Sequence, residues 1–215
     1  GLVVPGVIFL FRLFTDTFVH SRRDLKGVVN APFLGEVPMD KEIAKNKSGL
    51  VNKEGNDMVS EALRILRTNM TFMGKKGQAP QVVTFTSFNV GAGKTFISRN
   101  LAMSFAYVKK RVLLIDMDIR KGTLSRNFAK HELGLTHYLS DSSIALDDVI
   151  YPSGDHENLD ILPAGPVAPN PAELLMDERL DEMIKVLRDR YDYIVIDNVP
   201  VGIIADAAIV NRIAD

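Results

Sequence analysis

Near the middle of the chain, Gly91-Ala92-Gly93-Lys94-Thr95 holds the residue types that cradle a phosphate. Glycines let successive backbone N–H groups turn inward toward phosphate oxygens. A lysine beside them can reach the β- and γ-phosphates, and a threonine hydroxyl can ligate Mg²⁺. Three carboxylates have matching chemistry. Asp116 ends the apolar run VLLID, Asp118 and Arg120 follow it in alternation, and Asp197 ends a second apolar run, YDYIVID. Carboxylates delivered beside a phosphate loop can hold Mg²⁺ or accept a proton from an attacking hydroxyl. An apolar strand that ends in aspartate is also what a Walker B position requires. One position departs from G-x-x-x-x-G-K-[ST]: Phe88 stands where the first glycine would be.

These residues need a frame that brings strand ends together. Val82, Val83 and Phe85 predict a buried strand just before the loop. Phe96, Ile97, Leu101, Ala102 and Phe105 predict an amphipathic helix behind it, running to about Val108, with Lys109, Lys110 and Arg111 against its negative end. Loop, helix and the strand 112–116 have the length of a βαβ unit. LDILPAG at 159–165 reads as strand and turn, and 191–197 as a further buried strand. Short helices are expected near Leu135–Leu139 and Ile144–Ile150. Asn170 as N-cap, Pro171 at the first position and Glu173 at the third predict a helix continuing through Leu174, Leu175, Leu180, Met183, Ile184 and Leu187. Upstream, Val59, Leu63, Leu66, Met70 and Met73 make an apolar stripe on a helix over 58–73. On another side of that helix Glu61, Arg64 and Arg67 stand three residues apart. The pattern is α/β, a doubly wound, mostly parallel sheet with its site at the carboxyl ends of the strands.

Among 215 residues, 46% hydrophobic and 25% charged content and a net charge of -1 describe an ordinary globular protein and give no case for a nucleic-acid partner. Cysteine is absent, which excludes disulfides and thiolate metal sites, and the four histidines lack ligand spacing. The apolar start GLVVPGVIFLF is too short to span a bilayer, which takes about 20 residues. Its full hydrophobicity from the first residue and the flank of Arg12, His20, Arg22, Arg23 and Lys26 predict the trailing end of a transmembrane helix that leads into the cytoplasm. The domains expected are therefore a truncated membrane-helix end over 1–14, a juxtamembrane linker over 15–56 broken by Pro32, Pro38, Gly35, Gly49 and Gly55, and a catalytic domain over 57–215 cut short at its C-terminus.

GAGKT (91–95), LLIDMDIR (113–120) and IVID (194–197) resemble the Walker A, A-prime and B motifs of bacterial tyrosine kinases, the cytoplasmic domains of Wzc-like polysaccharide co-polymerases. Glu61-x-x-Arg64-x-x-Arg67 resembles the helix through which that family assembles into rings. LGEVP (34–38), LPAG (162–165) and NPAELL (170–175) fall where the family has similar stretches. The resemblance implies a P-loop NTPase fold of the MinD/ParA kind and an ATP-dependent protein-tyrosine autokinase that controls capsular or exopolysaccharide chain length and export. It implies ATP contacts from Val90, Gly91, Ala92, Gly93, Lys94, Thr95 and Phe96, and Mg²⁺ held by Thr95, Asp116 and, through water, Asp197. Lys94, Asp116, Asp118 and Asp197 would form the catalytic set, with Asp118 assisting the incoming tyrosine. Implied partners are a ring of copies, an octamer in the family, built through Glu61, Arg64 and Arg67; the tyrosine-rich tail of a neighbouring subunit; the polysaccharide export and polymerisation machinery; a tyrosine phosphatase; and the bacterial inner membrane, with the domain on its cytoplasmic face. In this chain Asn198-Val199-Pro200 follows the Walker B aspartate, where the family commonly has Ser or Thr and then Pro. Two other readings stand beside the kinase. One is a nucleotide-binding chain-length regulator with weak catalysis. The other is a ParA/MinD-type ATPase switch, although Asn89 occupies that group's signature-lysine position.

Overall fold

A computed structural model describes residues 4–7, 11, 15, 22–25, 27–28, 30–40, 50–51, 55–73, 80–128, 130–202 and 206–215. The chain forms two units, Gly1–Glu36 and Val37–Asp215. In the first, α1 (Arg22–Leu25) is a single turn, and Val4, Val7 and Phe11 are exposed. Among the described residues no helix is long and apolar enough to cross a membrane. The membrane-helix end expected over 1–14 falls largely outside those residues.

The second unit is built on a parallel sheet. Its strands are β1 (Val82–Phe85), β2 (Val112–Asp116), β3 (Tyr151–Pro152), β4 (Leu159–Leu162) and β5 (Tyr193–Asp197), in the spatial order β1-β5-β2-β4-β3. All neighbours are parallel except the edge strand β3, which pairs antiparallel with β4. Every residue of β2 and β5 is buried, as expected for the continuous apolar runs of a sheet covered on both faces. In β1 only Val82 is fully buried, because this strand pairs on one side alone among the described strands.

Helix α2 (Met58–Thr71) starts where Asp57 caps it, accepting from the Ser60 backbone N–H at 2.8 Å. It buries Val59, Leu63, Leu66 and Met70, whereas Met73 lies beyond its end and is exposed. Val59 and Leu63 join Val51, Val37 and Phe96 in a small apolar cluster. Helix α3 (Lys94–Ala106) departs from the amphipathic expectation: Ser98 through Ala106 are all buried. The helix is covered by α2 on one side and by β5 and β2 on the other, so it needs no solvent face. Its buried Arg99 is neutralised by Asp155 at 2.8 Å.

The short helices expected beyond β2 are present as α4 (Leu135–Ser140) and a 3₁₀ turn at Leu146–Val149. The single helix expected after Asn170 is instead two, α5 (Pro171–Met176) and α6 (Glu178–Arg190). Asp177 breaks it with an extended backbone and caps α6 by accepting from Arg179 N–H at 2.8 Å. Asn170 makes no side-chain cap; its amide donates to Glu173 at 2.7 Å. The final helix is α7 (Asp206–Val210).

Asp215 closes the unit against β1. Its carboxylate accepts from the Gln81 and Val82 backbone N–H groups at 2.8 and 2.9 Å and pairs with Arg188 at 2.7 Å. Burial alone would raise its pKa, but Arg188 and the two N–H groups outweigh that and bring it down to about 2. A depressed carboxylate contributes stability that is complete above its ordinary pKa and is lost as pH falls through the folded value. Asp215→Asn is therefore expected to cost about 1–2 kcal/mol at pH 7, discounted for partial exposure, and progressively less between pH ~4 and ~2. Urea unfolding of both proteins at several pH values measures this. A difference independent of pH would assign the loss to packing instead.

Candidate functional site

The strand order decides the site. Although β5 is last in sequence, it sits between β1 and β2, so the loop after β1 and the aspartates ending β5 and β2 share one edge of the sheet. Asp116 and Asp197 are direct register neighbours. Gly91 and Gly93 have φ of 80° and 87°, the left-handed region that favours glycine, and Gly93 opens α3 without a side-chain cap. The N–H groups of the first turn are thus left to a ligand, and the helix dipole favours an anion there. Phe88 is accommodated by Gly202: a Cβ on that glycine would lie 3.1 Å from the Phe88 ring and 2.6 Å from its carbonyl oxygen.

Thr95 Oγ1 donates to Asp197 Oδ2 at 2.7 Å, and Lys94 Nζ lies 3.4 Å from Asp197 Oδ1. Burial raises the Asp197 pKa, opposed by the Thr95 hydroxyl and the Lys94 charge. Asp116 is pushed up to about 6, first by burial and then by the neighbouring Asp197 charge, against the hydrogen bonds from Ser125. Its oxygens are turned to its own loop: Oδ2 accepts from Ser125 N–H at 2.7 Å and Ser125 Oγ at 2.6 Å, and Oδ1 accepts from Asp118 N–H at 3.1 Å.

A cavity of about 380 Å³ opens beside the loop, lined by Val90, Gly91, Gly93, Lys94 and Thr95 on one side and by Asp118, Arg120, Val199 and Pro200 on the other. The structure thus brings Lys94, Thr95, Asp118 and Asp197 together, with Asp116 buried next to Asp197. Ala92 is exposed and outside this lining. The Phe96 side chain packs into the cluster around Val51 and Val59, which leaves its backbone N–H as its means of meeting a phosphate. The donor set of glycine backbone, lysine, threonine hydroxyl and buried carboxylates fits a magnesium nucleotide.

Two positions that hold residues of this cavity in place carry no signal in the sequence. Asp206, on α7 and buried, takes the Arg120 guanidinium bidentately at 2.7 and 3.1 Å. Ser125 links Asp116 to the backbone of Ala164, whose N–H it accepts at 2.9 Å. The Asn198 substitution also has a structural account. Its side chain accepts from Val199 N–H at 2.8 Å and donates to the Ala207 carbonyl at 3.3 Å, tying the end of β5 to α7.

Arg64 and Arg67 line a different cavity, while Glu61 is exposed outside that lining. Arg64 pairs with Glu61 at 2.9 Å and donates to the Gly55 carbonyl at 2.8 Å. Arg67 turns inward to Ser104 on α3, donating to its carbonyl at 2.7 Å and its hydroxyl at 3.0 Å, and burial pulls its pKa down.

Known proteins resemble this chain in sequence and in fold. A family described as an AAA domain matches residues 80–212. The tyrosine-protein kinase CpsD of Streptococcus pneumoniae is 38% identical over 179 residues, covering 81% of this chain and 73% of that protein. The solved kinase domain of the Escherichia coli tyrosine kinase ETK matches with a TM-score of 0.79 at 29% identity, covering 91% of this chain and 79% of that one. The septum site-determining protein MinD of Pyrococcus horikoshii, complexed with Mg-ADP, matches with a TM-score of 0.53 at 27% identity, over 62% of this chain and 54% of that one. The P-loop ATPase fold and a nucleotide-binding role follow from these likenesses. At this level of similarity, sustained across the sheet and the helices that cover it, the chain belongs to the family of bacterial protein-tyrosine kinases.

Proposed function

We propose that this chain is an ATP-dependent protein-tyrosine kinase that phosphorylates tyrosines on neighbouring copies and thereby controls capsular or exopolysaccharide chain length. The observation that carries this is the meeting of Lys94, Thr95 and Asp197 at one strand edge, with Asp118 facing them across the same cavity. The loop backbone and Lys94 hold the phosphates, and Thr95, Asp197 and Asp116 are the residues to hold Mg²⁺. The metal nucleotide supplies the phosphoryl group and masks part of its charge. Lys94 neutralises the charge that grows on transfer, and Asp118 accepts the proton of the tyrosine hydroxyl, whose pKa of about 10 makes it a poor nucleophile unaided.

The chain's own tyrosines serve the fold. The Tyr107 hydroxyl donates to the Val51 carbonyl at 3.1 Å, Tyr191 donates to Asp160 at 2.7 Å, Tyr193 stacks on Phe105, and Tyr151 bonds the Asp148 carbonyl at 2.9 Å. Tyr138 lies under the Arg179 guanidinium. This supports an acceptor on a separate segment, the tyrosine-rich tail of a neighbour. Attachment to the cytoplasmic face of the inner membrane, the export machinery and a phosphatase belong to the same proposal. Labelling the native full-length protein with [γ-³²P]ATP and Mg²⁺, followed by phosphoamino-acid analysis, is expected to show phosphotyrosine. Nucleotide binding without phosphotyrosine would favour the chain-length regulator.

Ring assembly through α2 separates into two tests. Arg64→Glu removes a partly exposed pair and the contact to the Gly55 carbonyl, so it is expected to cost about 1 kcal/mol. Arg67→Glu places a carboxylate against the Ser104 carbonyl and is expected to cost about 2–3 kcal/mol by destabilising the α2–α3 contact itself. Only the first variant, measured by light scattering, reports on assembly. An intact oligomer in Arg64→Glu would remove Arg64 from the interface.

A further inference from the structure

A second and larger cavity, of about 680 Å³, adjoins the phosphate cavity and shares Lys121 with it. Among the described residues its rim carries Lys121, Arg126 and Lys130 against a single carboxylate, Glu132, in a chain whose net charge is -1. Several arginines elsewhere are neutralised within the fold: Arg99 by Asp155, Arg120 by Asp206, Arg188 by Asp215 and Arg212 by Asp181. Among the described residues none of the three rim cations forms an ion pair, and all three are exposed. A concentration of uncompensated cations around a cleft attracts and orients an anionic partner.

The cleft is held in shape before any ligand arrives. The Pro163–Gly165 segment of its wall is fixed by Leu135 N–H donating to the Pro163 carbonyl at 2.8 Å and by the Thr136 N–H and hydroxyl donating to the Ala164 carbonyl at 2.9 and 2.7 Å. Ala164 N–H donates to Ser125 Oγ, which in turn donates to Asp116. The wall and the buried aspartate of the reaction site are therefore one hydrogen-bonded unit. His137 Nδ1 accepts from Gly134 N–H at 3.3 Å, which leaves Nε2 as the donor in the neutral ring. A volume of this size is that of a ligand-binding cleft, and fixed walls lower the ordering cost of binding.

We propose that this cleft binds an acidic peptide segment next to the acceptor tyrosine. Carboxylates of the segment meet Arg126 and Lys130, and its tyrosine enters the phosphate cavity at the Lys121 end. The role as acceptor cleft rests on the kinase reading given above; the binding of an acidic peptide does not. The test is fluorescence anisotropy of a labelled peptide with a tyrosine flanked by glutamates, beside the same peptide with glutamines, on the wild-type chain and on the Arg126→Glu, Lys130→Glu double variant. Fluorescent ATP binding is measured in parallel to show that the variant is folded. The acidic peptide is expected to bind the wild type in a salt-sensitive manner, and the variant is expected to weaken it by about tenfold or more with nucleotide binding unchanged. Equal affinity for the glutamate and glutamine peptides, or an unchanged affinity in the variant, would overturn the proposal. So would binding of a uronic-acid polysaccharide with none of the peptide. Anisotropy needs no phosphoryl transfer, so an absence of phosphotyrosine would count against the kinase reading alone.

Discussion

Replacing Lys94 by methionine is expected to lower tyrosine phosphorylation by about 10²–10³-fold or more, the scale on which loss of one preorganised charge at a transition state is felt. Methionine keeps most of the side-chain length and removes the ammonium, so the α3 entrance should persist. Lys94 has two roles in the proposed reaction, and the variant removes both. Toward the ligand it would meet the phosphates. Toward the protein it is the cation beside Asp197, 3.4 Å away, where the next strand holds the second fully buried carboxylate, Asp116. Without it the Asp197 pKa, already raised by burial, moves further up, and the carboxylate pair takes up a proton more readily. The fold is therefore expected to survive while Mg²⁺-dependent nucleotide binding weakens. Thermal unfolding, fluorescent ATP binding and phosphotyrosine yield, measured together, check this. Undiminished phosphotyrosine would mean that transfer occurs elsewhere in the molecule.

The second large effect is expected at Arg120 and Asp206, and it should be asymmetric. Asp206 is almost wholly buried and Arg120 is over a third exposed. Arg120→Ala leaves a buried carboxylate without its bidentate partner, so it is expected to cost about 2–3 kcal/mol; Asp206→Ala removes the buried charge and frees the guanidinium to reach water, at about 1–2 kcal/mol. The double variant should cost less than the sum, since the two residues act through one contact. Arg120→Lys should not restore the wild type, because an ammonium cannot make both bonds. The pair ties α7 to the loop that carries Asp118, so either variant is also expected to reduce phosphoryl transfer. Urea unfolding and a double-mutant cycle measure the coupling. A larger loss in Asp206→Ala than in Arg120→Ala would contradict the asymmetry.

Much of the site was legible in the chain alone because its chemistry is local. The left-handed glycines, Lys94 and Thr95 lie within one turn at a strand–helix junction, and the two apolar runs announce their buried strands and terminal aspartates through composition. The same holds for the stripe of α2. Where the reading differed, a non-local contact or a short-range competition decided. Asp177 broke the helix after Asn170 because its carboxylate found Arg179 N–H. Helix α3 lost its solvent face because α2 covers it. Arg67, one of three charged residues spaced three apart on a helix, turned inward because Ser104 stands opposite. Sequence by itself indicated which residues could hold a phosphate and where the four parallel strands run, since glycine conformation, side-chain chemistry and apolar periodicity are properties of neighbours in the chain; the two-residue edge strand β3 carries no such pattern and was not read. Tertiary structure alone decided that β5 inserts between β1 and β2, that Asp206 meets Arg120 and that Ser125 claims Asp116. Those outcomes depend on strand order and loop packing, in which partners lie tens of residues apart and no spacing in the sequence records their meeting.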